Sequence, residues 1–457
     1  MTAAALERLR AELGDRVDTR PESLDDARAD KSGHVAAGRP LAVVHAASVA
    51  DVQAVMRLAT ETRTPVVVQG ARTGLAGGSN AGPGEIALSV RGMTRILEVR
   101  PDDLLAVVEP GILNADLNDA LAEHGVWWAP DPASRAISTV GGNIATGAGG
   151  LLCAKYGVVR DAVLGLDVVL ADGRLLHLGH RSVKGVTGLD LTSLFIGSEG
   201  TLGVVVGATL KLRRLVPGGV CTLTATFPGV RAAAAGSAAV TAAGIQPAIM
   251  ELMDAACLTA VHAMLGLETP TPGAAQLTVQ TDGAAATAEA DAIADILRAE
   301  GGTVAMSHDA AEGERLLAIR RAMHPAMETL GTALIEDVSV PRSALPAMFD
   351  EIARIERERG IVIPTVAHAG DGNLHPNFVF EPTADGGVPP HVWDAADDLF
   401  RSALRLGGTL TGEHGIGVLK RRWLADELGD DQWDLQRRIT AVFDPLGILN
   451  PGKVFAD

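Results

Sequence analysis

The chain has few cysteines, few aromatic residues and no excess of positive charge. Cys153, Cys221 and Cys257 are far apart and form no CxxC or CxxCH motif, so neither a disulfide framework nor a cysteine zinc site is expected. With eight Phe, five Trp and one Tyr, the core must consist mostly of small aliphatic side chains. Lys and Arg number 39 against 56 Asp and Glu, a net charge of -17, which argues against a nucleic-acid partner. We therefore expect a protein of the reducing cytoplasm in which local positive charge holds any anionic ligand.

Long apolar runs are also absent. No window reaches the 18 or so charge-free apolar residues of a membrane span, and the Ala-rich stretch 231–250 carries glycines. The N-terminus, MTAAALERLRAELG, predicts a short helix with Thr2 as N-cap and Gly14 as terminator rather than a signal peptide. These features predict a soluble protein and leave peripheral membrane docking open.

At 457 residues and 47% hydrophobic content, the chain is long enough for two or more domains. From about residue 40 to 215, short β-branched strands alternate with glycine turns, and helices are predicted at Ser48–Thr62 and Asn114–His124. Asp172-Gly173 predicts the turn of a hairpin. The predicted strands are LAVVHA, PVVVQG, EIALSV, LLAVVEPG, LGLDVVL, RLLHLG and GVVVGATLKLR.

After Arg214 the pattern changes to strands that alternate with longer helices. The strands are VCTLTATFP, AIMELMD, AAQLTVQTDG, TVAMSH and ALIEDVSVP, and helices are predicted at 231–243, 285–300, 310–330, 342–359 and 431–442. Returning strands covered by helices indicate an antiparallel, ferredoxin-like sheet. The prediction is an α+β protein with domains 1–214 and 215–411 and a C-terminal segment 412–457 that packs on the first domain.

Three glycine-rich turns indicate a long ligand. QGARTGLAGGSN directly follows a strand, and such a run of free backbone amides binds phosphate. Gly78 stands where a P-loop needs lysine, and no GxGxxG opens a helix, so ATP hydrolysis and a Rossmann site are not indicated. DPASRAISTVGGNIATGAGGLLCAKYG and FIGSEGTLGVVV provide two further small-residue turns. Each alone is compatible with a simple turn; together they favour a dinucleotide.

The motifs HAGDGNLHPN and TGEHGIG carry a candidate metal site. His368, His375 and Glu413 provide two imidazoles and a carboxylate, a divalent-metal set that can leave a coordination position open for substrate. His414 is a spare imidazole beside them. The alternative is that both motifs are solvated turns with incidental histidines, which is less favoured because there are two of them.

These motifs, together with DPAS, VLGLDVVLADG and LNPGKVF, resemble flavoproteins of the vanillyl-alcohol oxidase and p-cresol methylhydroxylase type. The similarity covers roughly residues 35 to 455 and is greatest to the D-2-hydroxy-acid dehydrogenase branch. That branch includes D-lactate dehydrogenases, the glycolate oxidase FAD subunit and D-2-hydroxyglutarate dehydrogenases. The resemblance implies an FAD-binding domain, a substrate or cap domain and a C-terminal segment that closes the site.

The resemblance also implies which residues bind FAD. They are Gly70, Ala71, Arg72, Thr73, Gly74, Leu75, Gly78, Ser79, Pro132, Thr139, Gly142, Asn143, Thr146, Gly149, Gly150, Tyr156, Glu199, Gly200 and Asn450. Some relatives attach FAD through histidine or cysteine, but 70–79 contains neither. Cys153 is equally well explained as a small packing residue, so non-covalent FAD is predicted.

At the reacting centre, the family holds a divalent ion, zinc or manganese, with the equivalents of His368, His375 and Glu413. His414 is then the candidate general base, or it only hydrogen-bonds a neighbouring carboxylate. The family places an arginine that grips the substrate carboxylate where this chain has Arg320 and Arg321, and either is alternatively an exposed helix arginine. Asn377, two residues after His375 on one strand face, reaches the same cavity.

The implied substrate is a small D-2-hydroxy acid. The hydroxyglutarate branch carries a lysine shortly before the motif DxSxP, whereas this chain has Ile335-Glu336 there. A second substrate carboxylate would meet Glu336 or an apolar residue, which favours a monocarboxylate such as lactate, glycolate or a bulkier 2-hydroxy acid. The sequence does not distinguish between four electron acceptors: molecular oxygen, an electron-transfer flavoprotein, a quinone and a cytochrome. The protein is compatible with a homodimer.

Two other activities compete with this interpretation. A metallohydrolase would use the same metal ligands but leaves the glycine-rich turns without a purpose. A flavin-dependent alkyl transfer, as in ether-lipid synthesis, is compatible with the same fold and involves no net electron transfer.

Overall fold

The computed structural model describes residues 3–384 and 386–455. The chain divides into two compact units. The first unit comprises Met1–Gly149, Gly157–Leu215 and Glu413–Asp457, and the second comprises Gly150–Tyr156 and Val216–Gly412. Helices and strands are mixed in both units, which confirms the α+β class predicted from the sequence.

The elements alternate along the chain. The strands of the described residues are β1 (Val17–Asp18), β2 (Ala42–His45), β3 (Val66–Gln69), β4 (Ile86–Ser89), β5 (Ile96–Arg100), β6 (Leu105–Val108), β7 (Val126–Trp127), β8 (Val163–Val169), β9 (Leu175–Gly179), β10 (Val204–Lys211), β11 (Arg213–Arg214), β12 (Gly219–Phe227), β13 (Ile249–Met253), β14 (Ala275–Gly283), β15 (Thr303–Ser307), β16 (Thr332–Ile335), β17 (Val338–Ser339), β18 (Thr365–His368) and β19 (Asn373–Phe380). The α-helices are α1 (Ala3–Leu13), α2 (Pro21–Asp26), α3 (Val49–Thr62), α4 (Asn114–Ala122), α5 (Val140–Thr146), α6 (Cys153–Tyr156), α7 (Leu191–Phe195), α8 (Val230–Ala242), α9 (Ala255–Leu265), α10 (Ala286–Ala299), α11 (Ala310–Arg321), α12 (Met323–Glu328), α13 (Leu345–Arg359), α14 (Pro390–Arg405) and α15 (Leu424–Phe443).

Helix α1 ends before Gly14, whose φ of 57° confirms the predicted terminator. The predicted N-cap Thr2 lies outside the described residues. None of the helices in the described ranges is long and apolar enough to cross a membrane.

The first unit contains two main sheets. One has the order β1-β2-β4-β3, with β2, β4 and β3 parallel, and the other is antiparallel with the order β5-β6-β10-β8-β9. Helix α3 covers the first sheet because its apolar residues recur at helical spacing. Ser48 accepts a hydrogen bond from the Asp51 backbone N–H as N-cap, and Val52, Val55 and Met56 are buried in the shared core. Each such side chain contributes about 1.5–3 kcal/mol on burial.

Two further features of the first unit matter for the site. The predicted hairpin is confirmed: β8 and β9 pair, and Gly173 has a φ of 82° in the turn. The C-terminal segment pairs with β3, because Val66 N–H donates to Ile448 and Asn450 N–H donates to the Val66 carbonyl. Asn450 is thereby held beside the glycine-rich loop that follows β3.

The second unit is an antiparallel sheet of order β15-β12-β14-β13-β18-β19-β16, with β17 also paired to β19. Helices α8 and α10 pack on β12 and β14. The helix predicted at 310–330 is two helices, α11 and α12. Pro325 lacks a backbone N–H and is tolerated only in the first turn of a helix, so α12 begins anew at Met323. The elements that the sequence prediction missed include β5, β18, α5, α9 and α14.

Candidate active site

His368 and His375 lie on the two strands of one hairpin in the second unit. His368 is the last residue of β18 and His375 is the third of β19, and residues 369–372 form the turn between the two strands. The register pairs His368 with Asn373 and Val366 with His375, which sends both imidazoles to the same face. Their ring centroids are 5.1 Å apart, and both residues are buried.

A buried carboxylate orients His368. Glu251, on the neighbouring strand β13, is the register partner of His368, and its Oε1 lies 2.7 Å from His368 Nδ1. Because a carboxylate accepts, Nδ1 carries a proton, and in the neutral ring Nε2 then keeps its lone pair. The sequence interpretation missed Glu251. Its signal was a single acid inside the apolar strand IMELM.

His375 lies near a second buried carboxylate, that of Asp337. The His375 Nδ1 and Asp337 Oδ1 atoms are 3.9 Å apart. Asp337 Oδ2 also accepts hydrogen bonds from the Gly412 backbone N–H at 3.0 Å and from the Thr411 hydroxyl. Asp337 therefore fixes the backbone immediately before Glu413.

Glu413, the third predicted ligand, is the first residue of the C-terminal stretch of the first unit and is partly buried. The Glu413 carboxylate also approaches the backbone of the second glycine-rich run, since a Cβ built on Gly149 would lie 2.4 Å from its Oε2. Only glycine fits at that position. His414, the candidate base, directly follows Glu413 and is partly buried.

The two candidate arginines differ sharply. Arg320 is 7% exposed, its Nη2 lies 2.7 Å from Glu251 Oε2, and its Nε is buried with no acceptor among the described residues. Arg321 is exposed and pairs with Glu314 instead. The structure therefore brings Arg320, not Arg321, to the carboxylate that also contacts His368.

Asn377 is fully buried on β19, two residues beyond His375. Its Nδ2 donates to the backbone carbonyls of Pro364 and His375, and its Oδ1 has no partner among the described residues. The side-chain N–H groups thus support the hairpin backbone, and only the carbonyl oxygen is left to meet a ligand.

In the first unit, the loop 70–79 follows β3 as predicted. Among the described residues, none of the backbone N–H groups from Ala71 to Ala76 donates to a backbone carbonyl. A Cβ built on Gly70 would lie 2.5 Å from Thr139 Oγ1, so the loop can approach the second glycine-rich run only with glycine there. The predicted phosphate-binding loop and this second run are therefore neighbours.

Buried polar atoms without partners surround this loop. Within the described ranges, Gln69 Oε1, Ser79 Oγ, Asn80 Oδ1 and Asn450 Oδ1 have none. Asn450 Nδ2 donates to the backbone carbonyls of Gly78 and Glu199 at 2.9 and 2.6 Å. Native proteins rarely leave such groups unsatisfied, so the surroundings of the loop fit a polar ligand.

Several side chains of the predicted FAD set bond within the protein. Asn143 Nδ2 donates to Ser138 Oγ, and Thr146 Oγ1 donates to the Gly142 carbonyl. In the second unit, the Tyr156 hydroxyl donates to Asp282. Of the remaining predicted positions, Arg72 pairs with Asp26 and Thr139 caps α5. The backbone carbonyls of Gly74 and Pro132 accept backbone N–H groups, and Gly200 has a φ of 75°. The other loop residues are partly or fully buried: Ala71, Thr73, Leu75 and Gly150.

Glu199 anchors the segment that carries His414. Its carboxylate accepts the backbone N–H groups of Ile416 and Gly417 at 2.7 and 2.8 Å, and burial raises the pKa of Glu199 to about 7. A Cβ on Gly415 would lie 2.9 Å from Glu199 Oε1. The side chain thus fixes the backbone from Gly415 to Gly417, immediately after His414.

This raised pKa predicts a pH-dependent stability. The folded protein binds the Glu199 proton more tightly than the unfolded chain, where the pKa is near 4.5, so the free energy of unfolding falls as pH rises from about 4.5 to about 7. Glu199→Gln removes this contribution. The Tm of the variant relative to that of the wild type should therefore rise as the pH increases from about 4.5 to about 7. Thermal unfolding of both proteins at a series of pH values measures the effect. A Tm difference that does not change with pH would contradict it.

Comparisons with known proteins give two family matches. A family described as "FAD binding domain" matches residues 40–179, and one described as "FAD linked oxidases, C-terminal domain" matches residues 217–454. The second match covers more than half of the chain. The protein belongs to the FAD-linked oxidase family, which confirms the predicted family and FAD as the cofactor.

Individual relatives cover nearly the whole chain. Glycolate oxidase subunit GlcD of Bacillus subtilis (strain 168) is 36% identical over 446 residues, 95% of this chain and 94% of the relative. A probable mitochondrial D-lactate dehydrogenase of Danio rerio is 34% identical over 431 residues, 91% of this chain and 84% of the relative. The crystal structure of p-cresol methylhydroxylase with substrate bound has a TM-score of 0.78 at 18% identity, covering 99% of this chain and 96% of that one. The last similarity shows the fold alone.

Proposed function

We propose that this protein oxidises a D-2-hydroxy monocarboxylate to the 2-oxo acid, using non-covalent FAD and a divalent cation. The observation that carries the proposal is the pair of buried imidazoles of His368 and His375, which lie on one face of a hairpin with their ring centroids 5.1 Å apart. Glu413 is the proposed third ligand. The relatives named glycolate oxidase subunit and D-lactate dehydrogenase support the substrate class.

The residues of the first unit fit a bound dinucleotide. Within the described ranges, the backbone N–H groups from Ala71 to Ala76 donate to no backbone carbonyl, and buried polar atoms such as Ser79 Oγ have no hydrogen-bond partner. Bound FAD supplies the acceptor for the hydride that leaves the substrate α-carbon. The loop contains neither histidine nor cysteine, which favours non-covalent binding.

The donor set of the second unit and Glu413 fits a divalent cation. Glu251 leaves Nε2 of His368 as the ligating nitrogen, and two imidazoles with one carboxylate suit zinc or manganese. A bound cation lowers the pKa of a coordinated hydroxyl and screens the charge of a substrate carboxylate. His414, next to Glu413, is the group assigned to accept the hydroxyl proton.

Arg320 is assigned to the substrate carboxylate. Its guanidinium is buried, and its Nε has no acceptor within the described ranges, so a buried donor is available to an anion. Planar guanidinium groups pair bidentately with carboxylates, which would fix the position of the α-carbon. Asn377 Oδ1 also has no hydrogen-bond partner in the described part of the chain.

Glu336 argues for a single substrate carboxylate. It follows β16, is 1% exposed, and its backbone N–H donates to the Pro376 carbonyl between His375 and Asn377. A second carboxylate near this position would meet negative charge rather than the lysine of the hydroxyglutarate branch. Lactate-like and glycolate-like acids are therefore favoured over dicarboxylates.

A substrate panel tests the proposal. Purified yellow protein, loaded with FAD and Zn²⁺ or Mn²⁺, should reduce an artificial dye with glycolate or D-lactate and should use D-2-hydroxyglutarate at least about tenfold less well, as expected for an unpaired buried charge. Reduction by no hydroxy acid would reject the function. Faster turnover of the dicarboxylate would reject the role given to Glu336.

A further inference from the structure

Glu251 stands where the fold does not favour a charge. Every residue of β13 is buried, the strand lies between β14 and β18 in the sheet, and the Glu251 side chain is 1% exposed. An ionised carboxylate in such a place is strongly destabilising unless it is paired. Its retention therefore has to be explained by its partners.

The two carboxylate oxygens have different partners. Oε1 lies 2.7 Å from His368 Nδ1, and Oε2 lies 2.7 Å from Arg320 Nη2. Both partners are themselves buried, at 8% and 7% exposure. His368 ends a neighbouring strand and Arg320 lies in the last turn of α11, so one carboxylate joins side chains from two separate elements.

Each contact has a consequence for the proposed chemistry. On His368, a carboxylate acceptor at Nδ1 fixes the tautomer and ring orientation that direct Nε2 to a cation. On Arg320, the ion pair holds one edge of the guanidinium, while Nε remains without an acceptor in the described part of the chain. The same carboxylate therefore orients a metal ligand and the substrate-binding arginine.

We infer that Glu251 is a positioning residue that couples the metal site to the substrate carboxylate site. This inference rests on the proposed function. Glu251 touches neither the cation nor the substrate in this scheme; it acts through His368 on metal affinity and through Arg320 on substrate affinity. Loss of its charge should therefore weaken both.

Metal titration of the FAD-loaded protein tests the inference. Binding of Mn²⁺ by Glu251→Gln, measured by calorimetry without substrate, should be about 10–100-fold weaker than in the wild type. The KM for glycolate or D-lactate should rise as well when the variant is saturated with metal. Glu251→Asp keeps the charge but is one methylene shorter, so its affinity for Mn²⁺ should lie between those of the wild type and Glu251→Gln. The aspartate variant also serves as the test if the glutamine variant does not fold.

Two comparisons separate positioning from general damage. Glu351→Gln is the matched control, because Glu351 pairs with Arg354 and Arg405 in the same unit without contacting His368 or Arg320. It should leave metal affinity unchanged. In a His368→Ala background, adding Glu251→Gln should produce no further loss of metal affinity, since the route through His368 is already gone.

The outcomes are distinguishable. If the wild type binds Mn²⁺ and Glu251→Gln binds it within about twofold, the inference is overturned and the proposed function stands. A full additional loss in the His368→Ala background would also overturn it. If the wild type binds no divalent cation, the proposed metal-dependent function fails, and the role of Glu251 fails with it.

Discussion

Replacing His375 with alanine is expected to lower kcat/KM for the hydroxy acid by more than about a hundredfold, because a lost Lewis-acid contribution of several kcal/mol corresponds to two or more powers of ten in rate. His375 provides one of the two buried imidazoles of the proposed metal site. Alanine provides no ligand atom, so the cation should bind much more weakly. Steady-state kinetics with a dye acceptor measure the effect.

The flavin serves as an internal control for this variant. Of the predicted FAD-binding residues, all but Gly150 and Tyr156 are in the first unit, whereas His375 is in the second, so the FAD content and visible spectrum should be those of the wild type. His391→Ala removes an exposed histidine at the start of α14 and should leave the activity unchanged. Full activity of His375→Ala, or an equal loss in His391→Ala, would contradict the metal assignment.

Arg320→Ala is expected to weaken use of the substrate by roughly 2 kcal/mol or more in kcat/KM, the value of a hydrogen bond to a charged group. The arginine is buried beside Glu251 and has an unpartnered Nε in the described structure. Because alanine leaves Glu251 without this counter-charge, Arg320→Lys should also be measured. Lysine keeps the charge but not the planar pair of donors, so it should recover stability better than activity.

Arg321 provides the matched control for Arg320. It is the next residue of α11, it is exposed, and it pairs with Glu314. Arg321→Ala should therefore change kcat/KM by less than about twofold, since exposed ion pairs contribute about 0–1 kcal/mol. The opposite order, with Arg321→Ala impaired and Arg320→Ala active, would move the carboxylate site to Arg321.

Local patterns in the sequence predict much of the secondary structure. Helix α3 follows from an N-cap serine and an apolar stripe, and the hairpin of β8 and β9 follows from Asp172-Gly173 between alternating strands. The amphipathic α14 was missed although Val392, Ala396, Leu399 and Ala403 recur at helical spacing on its buried face. The sequence pattern alone therefore predicts this helix.

Other features depend on pairing across long distances in sequence. Glu251 and His368 are 117 residues apart, and only the register of β13 with β18 places them side by side. A lone glutamate in an apolar strand reveals that something must neutralise it, but not which residue does so. The choice between Arg320 and Arg321 likewise required the packing of α11, because both are arginines at adjacent positions.

Anaerobic flavin reduction is the measurement that tests the central claim most directly. The FAD-loaded protein is stripped of divalent cations by a chelator, mixed with D-lactate or glycolate in the absence of oxygen, and then reloaded with Zn²⁺ or Mn²⁺. The account predicts that the visible flavin absorbance bleaches rapidly in the reloaded protein and at least about a hundredfold more slowly in the stripped protein. Equal bleaching rates with and without the cation would contradict it.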